Sequence, residues 1–116
     1  GPLRVLLAED DEDLRVMTVR MLKAEGHSVA EAADGLEAER LLAGGDFDAL
    51  VSDVMMPGRT GPELAGYARS RNPRIRVILM SGHSEGRMDQ AKASSLGYIF
   101  IQKPYSAEKL LRRLRD

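Results

Sequence analysis

No cysteine occurs in this chain. Its absence excludes a disulfide framework, a thiolate metal site and a cysteine nucleophile. Histidine is scarce too, and the two present, His27 and His83, stand too isolated to give metal-ligand spacing. No apolar run approaches the roughly 20 residues that would cross a bilayer. Neither sign of charge dominates: 17 basic against 18 acidic residues leave a net charge of −1, so neither nucleic acid nor a membrane surface is an expected partner. No signal peptide is recognisable, which makes the cytoplasm the expected location, although a longer parent could be membrane-anchored. Internal repeats, linkers and low-complexity segments are also missing. What remains is an ordinary globular composition, 43% hydrophobic and 30% charged, in 116 residues, enough for one domain (1–116) around one core. Gly1-Pro2 is compatible with an expression-tag remnant, which would make this chain a piece of a longer protein.

Along the chain, short apolar runs alternate with helical patterns. Leu3 to Ala8 has the length and continuity of a strand buried on both faces. It ends in Glu9-Asp10-Asp11-Glu12-Asp13. Leu14, Met17, Met21 and Leu22 then recur at helical spacing, and Gly26 ends that helix. His27 to Ala33 reads as a second strand. Asp34, with Glu37 three residues on, opens a second helix carrying Ala38, Leu41 and Leu42, stopped at Gly44-Gly45. Ala49 to Ser52 forms a third strand leading into Asp53 and the turn formers Pro57, Gly58 and Gly61. Gly61-Pro62 opens a third helix with proline at its first position, and Leu64, Ala65 and Ala68 face inward. Arg76 to Met80 is a fourth strand ending at Ser81-Gly82. Glu85 to Leu96 is a weaker helix with a thin apolar stripe. Tyr98 to Ile101 is a fifth strand ending at Gln102-Lys103-Pro104. Ser106 caps a last helix bearing Leu110, Leu111 and Leu114.

Five strand–helix units predict an α/β fold: a parallel sheet between two helical layers. Right-handed crossovers limit the topologies, and the flavodoxin-like three-layer sandwich with strand order 2-1-3-4-5 is one of the two common solutions, the one that five strands suit. In such a sheet the strand ends share one edge. That edge would gather Glu9, Asp10, Asp53, Ser81 and Lys103. The run of five acids has a bland reading, as favourable charge at a helix N-terminus. Five carboxylates also repel one another, so a bound cation is the alternative. Acids suit a hard divalent ion, the hydroxyl and ammonium suit anionic oxygens, and a site holding both suits phosphoryl chemistry.

These residues resemble the receiver domains of two-component response regulators, the CheY-like fold, over nearly the whole chain. The resemblance rests on Glu9-Asp10, the Asp53-Val-Met-Met-Pro-Gly-Arg-Thr-Gly loop, Ser81-Gly82 and Lys103-Pro104. It implies that Asp53 is the phosphoacceptor. It implies Mg²⁺, with Mn²⁺ as a substitute, bound directly by Asp10, through water by Glu9, and by Asp53 and the backbone carbonyl of Met55. Ser81 and Lys103 would contact the phosphoryl group, and the bond before Pro104 would be cis. Ser81 and Phe100 would form the conformational switch, while Met55 and His83 would tune dephosphorylation. The fourth helix, fifth strand and last helix would carry the output. The implied partner is a histidine kinase or histidine phosphotransfer protein, with a phosphorylation-dependent dimer as a further possibility.

Serine for the frequent threonine at position 81 is a conservative departure. Glu39 stands where the family usually has a large apolar residue, so the second helix is expected to pack loosely. His27 reads as a solvated turn residue, and Arg112, Arg113 and Arg115 as a solvated helix face. The Met-Ser-Gly-His-Ser and Gln-Lys-Pro-Tyr-Ser segments resemble receivers of hybrid sensor histidine kinases; a free-standing single-domain regulator is the alternative. A rival of another class is a Mg²⁺-dependent phosphohydrolase with an aspartyl nucleophile. Such enzymes commonly carry a second acid two residues after the nucleophile, where this chain has Met55.

Overall fold

A computed structural model describes residues 1–82 and 88–115. Strands β1 (Arg4–Ala8), β2 (Ser28–Ala32), β3 (Ala49–Asp53), β4 (Arg76–Ser81) and β5 (Ile99–Gln102) alternate with helices α1 (Glu12–Ala24), α2 (Gly35–Gly44), α3 (Gly61–Arg71), α4 (Gln90–Ser95) and α5 (Ala107–Arg115). Every pairing is parallel, and the order is β2-β1-β3-β4-β5, as expected. Among the described residues, no helix is long and apolar enough to cross a membrane.

The period-two alternation of strands sends their side chains to two separate half-cores. Leu6, Ala8, Leu50, Val77 and Leu79 pack with Ala38 and Leu42 of α2, Leu64, Ala65 and Ala68 of α3, and Ala93 of α4. Val5, Leu7, Val51, Ile78, Met80 and Ile101 pack with Val19 and Leu22 of α1 and Leu110 and Leu114 of α5. Both faces of β1 and β3 are therefore apolar, which is why these strands read as continuous hydrophobic runs.

Several details differ from the sequence expectation. Met17 is 65% exposed, and the buried face of α1 is Thr18, Val19 and Leu22. Thr18 and Val19 take the inward place expected of Met17, while Leu22 stays buried, and the Thr18 hydroxyl is paired with the Tyr105 hydroxyl at 2.9 Å. Pro62 occupies the second rather than the first position of α3, since the helix begins at Gly61. α4 spans Gln90–Ser95, and residues 85–87 of the expected helix lie outside the described residues. Met88 and Asp89 are not helical, and the Asp89 carboxylate caps the helix by accepting the Lys92 amide. His27 is not a free turn residue: its Nδ1 accepts the Leu3 N–H at 2.9 Å and ties the turn before β2 to the start of β1. Glu39 does not loosen α2. It sits at the rim of the helix, 3.4 Å from the Arg59 guanidinium, while Ala38 and Leu42 fill the core.

The loop after β3 is fitted closely to its surroundings. Gly35 donates its N–H to the Pro57 carbonyl at 2.9 Å, and a Cβ at Gly35 would strike the Arg59 backbone. A Cβ at Gly61 would strike the carbonyl of Asp53 itself. Thr60 and Glu63 close the start of α3 with a reciprocal capping box. Thr60→Ala deletes the hydroxyl that accepts the Glu63 N–H and is expected to lower stability by about 1 kcal/mol. The measurement is the urea midpoint, with an unchanged slope.

Candidate functional site

Because all strands run the same way, the residues that follow them meet on one edge of the sheet. β1 delivers Glu9 and Asp10, β3 delivers Asp53, β4 delivers Ser81 and β5 delivers Lys103. Carboxylate oxygens of Glu9, Asp10 and Asp53 lie within 4.8 Å of one another. Glu9 and Asp53 are almost wholly buried, at 1% and 2% exposure, whereas Asp10 is exposed. The Lys103 ammonium stands between the buried pair, 2.9 Å from Glu9 Oε1 and 2.5 Å from Asp53 Oδ1. The Lys103–Pro104 bond is cis.

Backbone bonds hold these strand ends together. Glu9 N–H donates to Ala32 O at 3.1 Å, Val54 N–H to Met80 O at 2.8 Å, and Lys103 N–H to Ser81 O at 2.8 Å. Ser81 is buried, and its hydroxyl donates to the Gly82 carbonyl at 3.1 Å. Val54, just before Met55, also accepts the Gly61 N–H at 2.8 Å, so the chain enters Met55 from a fixed peptide. The Met55 side chain is half exposed.

The charges are strongly coupled. Burial pushes the Asp53 carboxyl up from 3.8 to about 8; neighbouring Glu9 pushes the same way, and Lys103 opposes them. Burial also pushes Glu9 upward. Hydrogen bonds with Asp53, Lys103 and the Asp11 N–H outweigh that effect, and Glu9 ends below its ordinary value. Burial pulls Lys103 down, but the two carboxylates outweigh it and hold its proton more tightly than usual. Of the two buried acids, Asp53 is thus shifted toward the protonated form and Glu9 toward the ionised form.

The residues present fit a hard divalent cation. Three carboxylates converge, one of them from the solvent side. Asp53 Oδ1 is shielded from water and receives no well-aligned hydrogen bond; what faces it is the lysine charge. A cation would satisfy that oxygen and relieve the mutual repulsion of the acids.

The sequence-expected residues Glu9, Asp10, Asp53 and Lys103 are thus brought together, with Ser81 and the start of the Met55 loop on the same edge. Phe100 is placed elsewhere. It is half buried in β5, packs against the core on the α2–α3–α4 side, and lines a cleft of about 290 Å³ with Met88 and Gln102. His83 lies outside the described residues. Sequence reading missed Arg15, whose guanidinium donates to the Glu9 carbonyl at 2.9 Å and pairs with Glu31 at 3.3 Å. Its position in the helix, two residues beyond the acidic run, is the available signal.

A carboxyl raised by folding favours the folded state at low pH, and that contribution is lost as pH rises through the folded value. Asp53 rises from 3.8 to about 8. Between pH 6 and 9, without divalent ions, the wild-type urea midpoint is expected to fall. The Asp53→Asn midpoint is expected to fall less across the same range, because the uncharged amide has no proton to lose.

Comparison with known proteins bears on this geometry. A sequence profile described as the response regulator receiver domain matches residues 5–115. Sensor kinase CckA of Brucella abortus is 36% identical over 118 aligned residues, which take in 100% of this chain and 12% of that protein. The transcriptional regulatory protein TcrA of Mycobacterium tuberculosis is 35% identical over 115 residues, covering 97% of this chain and 45% of that protein. The chain therefore spans less than half the length of these relatives. The receiver domain of the Francisella response regulator 1452 superposes with a TM-score of 0.86 at 28% identity, over 99% of this chain and 94% of that one. Profile, relatives and sheet order agree, and the chain belongs to the response regulator receiver family of two-component signal transduction.

Proposed function

We propose that this domain takes a phosphoryl group onto Asp53 and changes conformation in response. The observation that carries the reading is the placement of one ammonium group, Lys103, within 2.9 Å of both buried carboxylates, Glu9 and Asp53, beside the exposed Asp10. The donor is a phosphohistidine on a histidine kinase or a phosphotransfer protein. An Asp53 carboxylate oxygen forms a bond to phosphorus as the phosphorus–nitrogen bond breaks. The bonding electron pair leaves on the imidazole nitrogen, which takes a proton from water. The product is an acyl phosphate on the domain itself, and its hydrolysis by water makes the mark temporary. No separate substrate is turned over.

The protein's part is to hold the nucleophile in place and to balance charge. Burial at the end of β3 fixes Asp53. Glu9, Asp10, Asp53 and the Met55 carbonyl would hold Mg²⁺, or Mn²⁺ in its place. When bound, the cation supplies positive charge that keeps Asp53 ionised and offsets the arriving anion. Lys103 then exchanges a carboxylate for a phosphoryl oxygen, and Ser81 donates its hydroxyl to another. Moving a two-state equilibrium from 1:99 to 99:1 takes about 5.5 kcal/mol. A hydrogen bond to a charged group contributes roughly 1.5–3 kcal/mol, so these two contacts supply most of what a switch needs. Phe100, half buried on a cleft at β5, is the side chain with room to follow the Ser81 movement.

The 36% identity to a sensor kinase, over 12% of that protein's length, supports a hybrid sensor histidine kinase as the parent. A shorter regulator is the alternative, and the gene surrounding this segment decides between them.

The test uses acetyl phosphate and Mg²⁺ with detection by intact mass. Wild type is expected to gain one phosphoryl group, and Asp53→Asn and chelator-treated wild type none. An unmodified wild type, or equal labelling of Asp53→Asn, would overturn the assignment.

A further inference from the structure

Glu9 is secured at every polar atom among the described residues. Its N–H donates to Ala32 O at 3.1 Å, its Oε1 meets Lys103 at 2.9 Å, and its Oε2 accepts the Asp11 N–H at 3.1 Å. Its carbonyl accepts the Arg15 Nη1–H at 2.9 Å. Asp10 differs. It is exposed, and no hydrogen bond holds its carboxylate among the described residues. Its position therefore depends on the peptides on either side of it. The peptide joining Glu9 to Asp10 is the one that Arg15 grips. Arg15 itself is largely buried, 15% exposed, and is braced from β2 by Glu31 at 3.3 Å. Its own N–H closes the first turn of α1 on the Asp11 carbonyl at 2.9 Å.

We propose that Arg15 is a positioning residue for the cation-binding limb: its guanidinium fork, braced by Glu31, fixes the Glu9–Asp10 peptide and so aims Asp10 at the site. The inference rests on the Mg²⁺ reading given under Proposed function. Charge alone predicts the opposite effect. Arg15 is a cation near a site for a cation, so removing it should tighten Mg²⁺ binding if Coulomb repulsion were its main effect. A positioning role predicts weakening. Residues that orient metal ligands without touching the metal commonly alter affinity by ten- to a hundredfold when mutated. Lysine retains the charge but, lacking the planar fork, cannot span both acceptors as arginine does.

The experiment is Mg²⁺ titration by calorimetry on wild type, Arg15→Gln and Arg15→Lys, with amide hydrogen exchange at Asp11 measured in the absence of metal. Both variants are expected to bind Mg²⁺ about tenfold more weakly and to exchange the Asp11 amide faster. Binding in Arg15→Gln as tight as wild type or tighter overturns the proposal, as does an unchanged Asp11 exchange rate. If Arg15→Gln does not fold, Arg15→Lys decides by the same two readouts. Wild type that binds no Mg²⁺ overturns the reading of the site along with this inference. Wild type that binds, with variants that bind equally well, overturns the role of Arg15 alone.

Discussion

A lysine ammonium sits between two carboxylates that water does not reach, and a third carboxylate stands at the rim. Unit charges at that spacing, within 4.8 Å, repel by roughly 3 kcal/mol per pair at an effective dielectric near 20. Lys103 cancels part of this. The rise of the Asp53 carboxyl, driven first by burial and then by Glu9, reflects what is left uncancelled. Of these two almost equally buried acids, folding raises the Asp53 carboxyl and lowers that of Glu9. Ionising Asp53 near neutral pH therefore costs stability unless positive charge arrives from outside or Lys103 supplies it. The reading of the domain as a phosphoacceptor depends on this balance.

The fold exists in its present form because the residues that carry this charge come from distant parts of the sequence. Glu9 and Lys103 are 94 positions apart. Parallel strands bring them together without any local motif, since each crossover helix returns the chain to the same starting edge. The two half-cores make that arrangement rigid. Leu6 and Ala8 of β1 point one way, and Val5 and Leu7 the other. The strand end is therefore clamped from both layers before the chain turns polar at Glu9.

Much of this was legible in the sequence. The apolar runs at Leu3 to Ala8, Ala49 to Ser52 and Arg76 to Met80 were unambiguous because a strand buried on both faces has little polar content. Asp53 is conspicuous because it ends such a run, and Lys103 because it follows the shorter apolar run Tyr98 to Ile101. The face of α1 was misread because a threonine with a buried hydroxyl partner looks polar in one dimension, while Met17 looks like core. Thr18 and Tyr105 lie 87 positions apart, and no local pattern announces their bond. The start of α4 was misplaced for a local reason, the capping power of Asp89. Arg15 went unnoticed because an arginine on a helix is ordinarily a solvated one. What makes it different is a contact with a backbone carbonyl, which no side-chain pattern encodes.

Gly61 has a consequence for how such a domain can diversify. A β-carbon on it would overlap the carbonyl of Asp53, so the first residue of α3 and the buried acid occupy one steric niche. Larger residues there must push the end of β3 outward or detach the helix. Side chains nearby that point outward, such as the half-exposed Met55, meet no such steric limit. At position 61 the backbone itself leaves room for a single amino acid.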